Sequence, residues 1–261
     1  MNLRAARRAV TLGLALAYSL MLFWLLRLSG RVREGRSAQW QHEAALRVMR
    51  IFGIRLKVTG TLPQGGLMVS NHLSYLDILV FSAALPVYLV SKIEIGSWPF
   101  FGTLARAGGA LFVDRSSRAS AEATTEMIAE RLRGPVPVLF FPEGTSTDGT
   151  QVLRFHSRFF IPAVEAGIPV TAASVRYVAE DGSAESNLCW FGSTDFLPHL
   201  LKNLGGPDFE VQIHFGESRI YENRRVAAQR TYEEVVAMRE AGAPKTQAGA
   251  PQETAAEEPV A

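Results

Sequence analysis

LMVSNHLSYLDILVFSAA, residues 67–84, passes from a strand-like apolar run into a helical one through a short polar stretch. Leu67 to Ser70 reads as a short buried strand. Tyr75 to Ala84 reads as a helix carrying the apolar run Ile78, Leu79, Val80, Phe81. Between them, Ser74 followed three residues later by Asp77 has the form of a capping box, in which hydroxyl and carboxylate each take an unpaired N–H of the first turn. The other use of Asp77 is chemical, as a partner for His72. Along a regular helix five residues turn ~500° and leave two side chains ~140° apart. His72 therefore has to sit in the loop before the helix. With Ser74 as N-cap, Asp77 is the N3 residue and its side chain turns back toward that loop.

The alternation seen here recurs along the chain. Further strands are expected near Ile54 to Val58, Val87 to Val90, Ala110 to Val113, Val136 to Phe141, Val170 to Tyr177 and Glu210 to Phe215. Helices are expected near Pro99 to Ala107, Arg118 to Arg133, Arg158 to Ala166, Phe196 to Asn203 and Glu222 to Glu240. Strands alternating with helical periods predict an α/β fold, a mixed and largely parallel sheet flanked by helices. With 261 residues, 48% hydrophobic and 20% charged, the chain can bury one sizeable core. Residues 54–240 are assigned to that domain.

Two flanks differ from it. Residues 1–36 hold seven Arg against one acid, Glu34, and enclose the uncharged run Ala9 to Leu26. As a helix that run extends ~27 Å, close to the ~30 Å hydrocarbon layer of a bilayer. Arginines beside an apolar run point to an anionic membrane surface rather than to nucleic acid. A cleavable leader fits less well, since the apolar run continues past Ala15-Leu16-Ala17. From Ala38 to Phe52, Trp40, Ala44, Ala45, Val48, Met49 and Phe52 share one side of a helix, which either lies in the membrane interface or packs on the domain. Residues 1–53 are thus read as membrane-associated helices. Residues 241–261, rich in Ala, Pro, Gly, Gln and Glu, are read as a disordered tail. Cys189 is the single cysteine, which excludes an internal disulfide and a cysteine-rich metal site.

Three more stretches accompany NHLSYLD: GALFVDR (109–115), FPEGTS (141–146) and GIPV (167–170). The first two lie where predicted strands end, as NHLSYLD does, and in open α/β sheets ligands collect beyond the carboxyl ends of strands. Taken together and in this order, the four blocks resemble the glycerolipid acyltransferases typified by 1-acyl-sn-glycerol-3-phosphate acyltransferase. The resemblance covers about residues 38–220. It implies acyl transfer from acyl-CoA or acyl carrier protein to a lysolipid hydroxyl, at the cytoplasmic face of the cytoplasmic membrane, without metal or cofactor. It further implies that His72 is the general base and Asp77 its catalytic partner. Arg115 and the Glu143-Gly144 turn would hold the polar head of the acceptor, with Asn71, Lys92 and Thr145 in the substrate-binding set and Pro169 shaping the acyl site.

Those residue types suit the chemistry. A lipid hydroxyl is a weak nucleophile, and an imidazole, which ordinarily titrates near ~6.5, can take its proton as it attacks a thioester. An aspartate can fix the imidazole tautomer and stabilise the imidazolium. One departure stands out: where members acting on lysophosphatidic acid commonly read Glu-Gly-Thr-Arg, this chain has Ser146. The substitution removes a charge-assisted contact worth about 1.5–3 kcal/mol, unless Arg154 or Arg158 replaces it. Acylation of 1-acylglycerol-3-phosphate to phosphatidic acid is the leading expectation. Acylation of a lysolipid without phosphate, such as lyso-ornithine lipid, is the alternative, and a catalytically silent lipid-binding protein is a third. His156, His199 and His214 share no metal-like spacing, and Cys189 reads as a small buried hydrophobe.

Overall fold

The computed structural model describes residues 2–28, 35–98, 101–113 and 118–242. Arg115, Phe100 and residues 243–261 lie outside the described residues. All seven expected strands form one sheet: β1 (Ile54–Gly60), β2 (Leu67–Ser70), β3 (Tyr88–Lys92), β4 (Leu111–Val113), β5 (Val138–Phe140), β6 (Val170–Ala179) and β7 (Phe209–Arg219), in the order β1-β7-β6-β2-β5-β3-β4. Strands β6, β2, β5, β3 and β4 are mutually parallel. Strand β7 is antiparallel to β6 and parallel to β1, so the last two run the other way. The sheet is therefore mixed and largely parallel, as the sequence predicts.

Side-chain alternation divides two cores across this sheet. Met68, Leu139, Val175 and Tyr177 face one core, with Val80 and Phe81 of α3 (Leu76–Ala84), Val48 and Phe52 of α2 (Arg36–Phe52) and Leu204 of α8 (Phe196–Gly205). Leu67, Val69, Val138 and Phe140 face the other, with Ile128 and Leu132 of α6 (Arg118–Leu132), Ala163 of α7 (Ile161–Glu165) and Ala227 and Val235 of α9 (Arg224–Ala241). Strands covered on both faces can be apolar throughout, and all four residues of β2 are buried. Two short helices lie between β3 and β4, α4 (Ile93–Gly96) and α5 (Phe101–Ala107), the first of them not expected from sequence. The helix expected at Arg158 to Ala166 is a 3₁₀ turn, Ser157–Phe160, followed by α7, whose Pro162 sits in the first turn where its missing N–H does no harm.

Helix α1 (Leu3–Leu28) is docked along one stripe. Its Asn2 N-cap accepts from the Ala5 N–H at 2.8 Å and donates to the Gly205 carbonyl at 3.1 Å. Arg8 Nη2 meets Asp208 Oδ1 at 2.7 Å, and Trp40 Nε1 donates to the Ser19 carbonyl at 2.7 Å. Ala9, Leu12 and Leu16 pack on the core beneath. The opposite face, with Val10, Leu14, Met21 and Leu25, is exposed, and the helix is long and apolar enough to cross a membrane by length and composition. Of the two readings of the α2 stripe, the structure adopts the packed one: Trp40, Ala44, Ala45, Val48, Met49 and Phe52 are all buried. Gly53 ends the helix in a left-handed conformation, its N–H returned to the carbonyls of Arg50 and Met49.

Candidate active site

Strand β5 lies between β2 and β3 although it follows both in sequence, and its successor β6 lies on the far side of β2. The loops leaving β2 and β5 therefore meet at a point where connections diverge, the usual place for a crevice in such sheets. NHLSYLD follows β2 and FPEGTS follows β5.

The chain leaves β2 at Ser70, and the next side chain continues the ladder. Asn71 Nδ2 donates to the Val175 carbonyl at 3.0 Å and its Oδ1 accepts the Val175 N–H at 2.9 Å. At 1% exposure Asn71 holds β6, which corrects its expected place in the substrate-binding set. His72 is then fixed at four points. Its main-chain N–H donates to Glu143 Oε1 at 2.7 Å, its carbonyl accepts the Thr147 N–H at 2.9 Å, its ring stacks on Phe141 with centroids 4.1 Å apart, and its Nδ1 donates to Asp77 Oδ2 at 2.7 Å. A carboxylate acceptor requires the proton on Nδ1, which leaves the Nε2 lone pair free for a substrate proton.

Asp77 is wholly buried. Its Oδ2 also accepts the N–H groups of Leu73 at 2.6 Å and Ser74 at 3.0 Å, and its Oδ1 accepts the Tyr177 hydroxyl. The carboxylate half of the expected capping box is thus present. The hydroxyl half is not, because α3 starts at Leu76, its N-cap is Tyr75, and the Ser74 hydroxyl is buried without a partner. Asp77 caps the loop as well as the helix, and that loop bends tightly enough to bring three donors to one oxygen.

Glu143 differs most from expectation. It is 4% exposed, and both oxygens are taken by main-chain donors, Oε1 by His72 and Oε2 by Leu153 at 2.8 Å. Burial pushes its carboxyl up to about 7 despite those two bonds. The side chain expected to hold an acceptor head instead holds the His72 loop. Gly144, at φ 77°, and Thr145 are exposed on the turn that follows; a Cβ on Gly144 would meet only the His156 ring, at 3.6 Å, so conformation rather than room demands glycine there. Ser146 Oγ donates to the Trp190 carbonyl at 2.6 Å, and the Trp190 N–H donates to the Leu73 carbonyl, so the FPEGTS turn is tied back to the His72 loop.

Lys92 ends β3 in register with Val113 at the same edge of the sheet as Ser70. Pro169 does not belong to this edge. Its carbonyl accepts the N–H of Leu67, the first residue of β2, and Val170 pairs with Leu67. The four residues of β2, roughly 13 Å at ~3.3 Å per residue, separate it from the His72 end, so it makes no contact with the base itself. Tyr177 was expected only as the end of a strand. A tyrosine on the same face as Ala173 and Val175 needs a partner for its hydroxyl, and this was the available signal. Burial, then the adjacent Asp77 charge, raises its phenol well above the ordinary range. Burial likewise raises the Cys189 thiol, which keeps it inert. Among the described residues no three His, Cys, Asp or Glu side chains gather as metal ligands would.

A base oriented by a buried carboxylate lies at the diverging end of a mixed sheet, and three similarities show that the chain is an acyltransferase of lysophospholipid type. Residues 55–176 match the Acyltransferase family. The chain is 36% identical over 210 residues, 77% of its length and 76% of the relative's, to the lyso-ornithine lipid O-acyltransferase of Rhodobacter capsulatus, and 38% identical over 120 residues, 46% of its length and 47% of the relative's, to the 1-acyl-sn-glycerol-3-phosphate acyltransferase of Neisseria gonorrhoeae. The fold matches the crystal structure of the 1-acyl-sn-glycerophosphate acyltransferase PlsC from Thermotoga maritima with a TM-score of 0.61 at 19% identity, covering 92% of this chain and 97% of that one. The chain belongs to the 1-acyl-sn-glycerol-3-phosphate acyltransferase family.

Proposed function

We propose that this acyltransferase moves a fatty acyl chain from acyl-CoA or acyl carrier protein to the free hydroxyl of a lyso-ornithine lipid, with no metal or cofactor. His72 Nε2 takes the hydroxyl proton as the oxygen attacks the thioester carbonyl, Asp77 stabilises the imidazolium, and the proton passes to the departing thiolate without an acyl-enzyme. The exposed face of α1 rests in the cytoplasmic membrane, with the site open to its cytoplasmic side.

The observation that carries this reading is Ser146. It stands where an arginine would serve a phosphomonoester, and its hydroxyl is committed to the Trp190 carbonyl. The long similarity to the R. capsulatus enzyme supports the same acceptor class. Acylation of 1-acylglycerol-3-phosphate is the second reading, favoured by the shorter similarity to the N. gonorrhoeae enzyme. An equimolar mixture of both acceptors, offered to purified protein with one labelled acyl donor at a time, separates them. Label in ornithine lipid is expected; label in phosphatidic acid alone would transfer the assignment to the second reading. Label in neither, with either donor, would favour a silent lipid-binding protein.

A further inference from the structure

Asp77 has two oxygens and His72 uses one of them. Oδ2 carries three donors, from His72, Leu73 and Ser74. Among the described residues Oδ1 has the Tyr177 hydroxyl alone. The terminal torsion of an aspartate is broad and nearly two-fold, so a carboxylate with three donors on one side and none on the other would turn to share them. That turn would tilt Oδ2 off the line of the His72 Nδ1–H bond while leaving the carboxylate charge beside the ring.

We propose that Tyr177 is a positioning residue for the His72–Asp77 pair, its hydroxyl fixing the rotation of the Asp77 carboxylate and sharing its negative charge. Tyr177 has little freedom of its own. It is 2% exposed, its ring meets Phe209 edge-on, and its main-chain N–H is held by Glu185 Oε1 at 2.7 Å. Glu185 is held in turn by Arg239 of α9, at 2.8 Å, and Val175, two residues earlier on β6, is the strand's contact with Asn71. One strand thus grips the active loop at both Asn71 and Asp77. The titratable groups around Tyr177 are Asp77, Cys189 and Glu185, with Glu143 and His72 beyond Asp77. Burial keeps the phenol protonated, so it remains a donor over the working pH range.

Withdrawing this donor concentrates charge on the carboxylate, which then holds the imidazolium more firmly. The base is protonated at higher pH. In Tyr177→Phe, kcat should fall about tenfold to hundredfold, the usual effect of losing a hydrogen bond to a charged group. Both KM values should stay within about twofold of wild type, since the hydroxyl lies behind Asp77. The acid limb of the pH–rate profile should move up. In an Asp77→Asn background the same change should add no further loss.

The inference depends on the base assignment but not on the acceptor, so the assay uses whichever acceptor the wild type turns over. An NMR titration of the His72 ring, which needs no substrate, should show the same upward displacement. Replacing Tyr177 by 3-fluorotyrosine, a stronger donor of nearly equal volume, should move limb and titration the other way, and serves if the Phe variant folds poorly. Profiles and ring titrations that stay at wild type in both variants would overturn the proposal, as would a full additional loss on top of Asp77→Asn.

Discussion

Glu143 Oε1 accepts the main-chain N–H of His72 at 2.7 Å, so the carboxylate of one sequence block fixes the backbone of another. Its second oxygen does the same for Leu153. A glutamine supplies one acceptor and one NH₂, which would set a donor against one of these N–H groups. Glu143→Gln should therefore lower kcat on the order of tenfold to hundredfold with the acceptor KM little changed. Steady-state kinetics decide it: a raised acceptor KM with kcat intact would return Glu143 to the head-group site.

The same residue sets stability and activity at odds with pH. Burial raises its carboxyl from 4.5 to about 7, so between those values the folded chain keeps a proton that the unfolded chain has released. Stability from this group is present at low pH and declines as pH rises through that window. Activity runs the other way, because accepting two N–H bonds requires the ionised form, and should be lost as pH falls through about 7. Melting temperatures across the window, for wild type and Glu143→Gln, should show a downward slope in the first that is missing from the second. Equal slopes would mean that Glu143 is ionised throughout.

Asp77→Ser should be inactive and also distinctly less stable. The carboxylate satisfies Leu73, Ser74 and Tyr177 in a fully buried position, and serine cannot reach all three. Leaving buried donors unpaired at ~1–3 kcal/mol each suggests a loss of about 3 kcal/mol or more. Denaturant unfolding measures it, and a variant as stable as wild type would show that the loop finds other acceptors.

Ser146→Arg should change acceptor preference. It breaks the link to the Trp190 carbonyl and places a cation on the turn beside His72. The KM for 1-acylglycerol-3-phosphate should fall roughly tenfold or more, the scale of a charge-assisted hydrogen bond. Turnover of lyso-ornithine lipid should drop. Parallel losses with both acceptors would mean that position 146 serves the loop alone.

Pro169→Ala should leave the preference among donor chain lengths within about twofold of wild type, because Pro169 lies at the other end of β2. Competition among acyl-CoA species of different length tests this. A changed preference would bring Pro169 back to the acyl site.

What the sequence revealed was local in kind. Strand positions followed from short apolar runs, and the loop placement of His72 followed from the geometry of five residues before a helix. The direction of a side chain was not legible in the same way. Asn71 and Glu143 stand in motifs beside the base, yet both turn inward to main-chain partners contributed from 104 and 71 residues away, respectively. Pro169 belongs to a block that accompanies the others in sequence but enters its strand from the opposite edge. Tyr177 carries no motif at all; its importance follows from the pairing of β6 with β2, which puts it opposite the first turn of α3, 100 residues earlier.

The bond pair between Asn71 and Val175 has a consequence for how the loop can change. Asn71 is the last residue whose position is counted off against the sheet; from there the imidazole is a single step away. Inserting one residue between Ser70 and Asn71 would present a different side chain to Val175 and carry the ring past Phe141, however well the rest of the chain folded. The spacing from strand to base is thus an integer set by β6, and sequence drift around it can alter chemistry on either side but not the count.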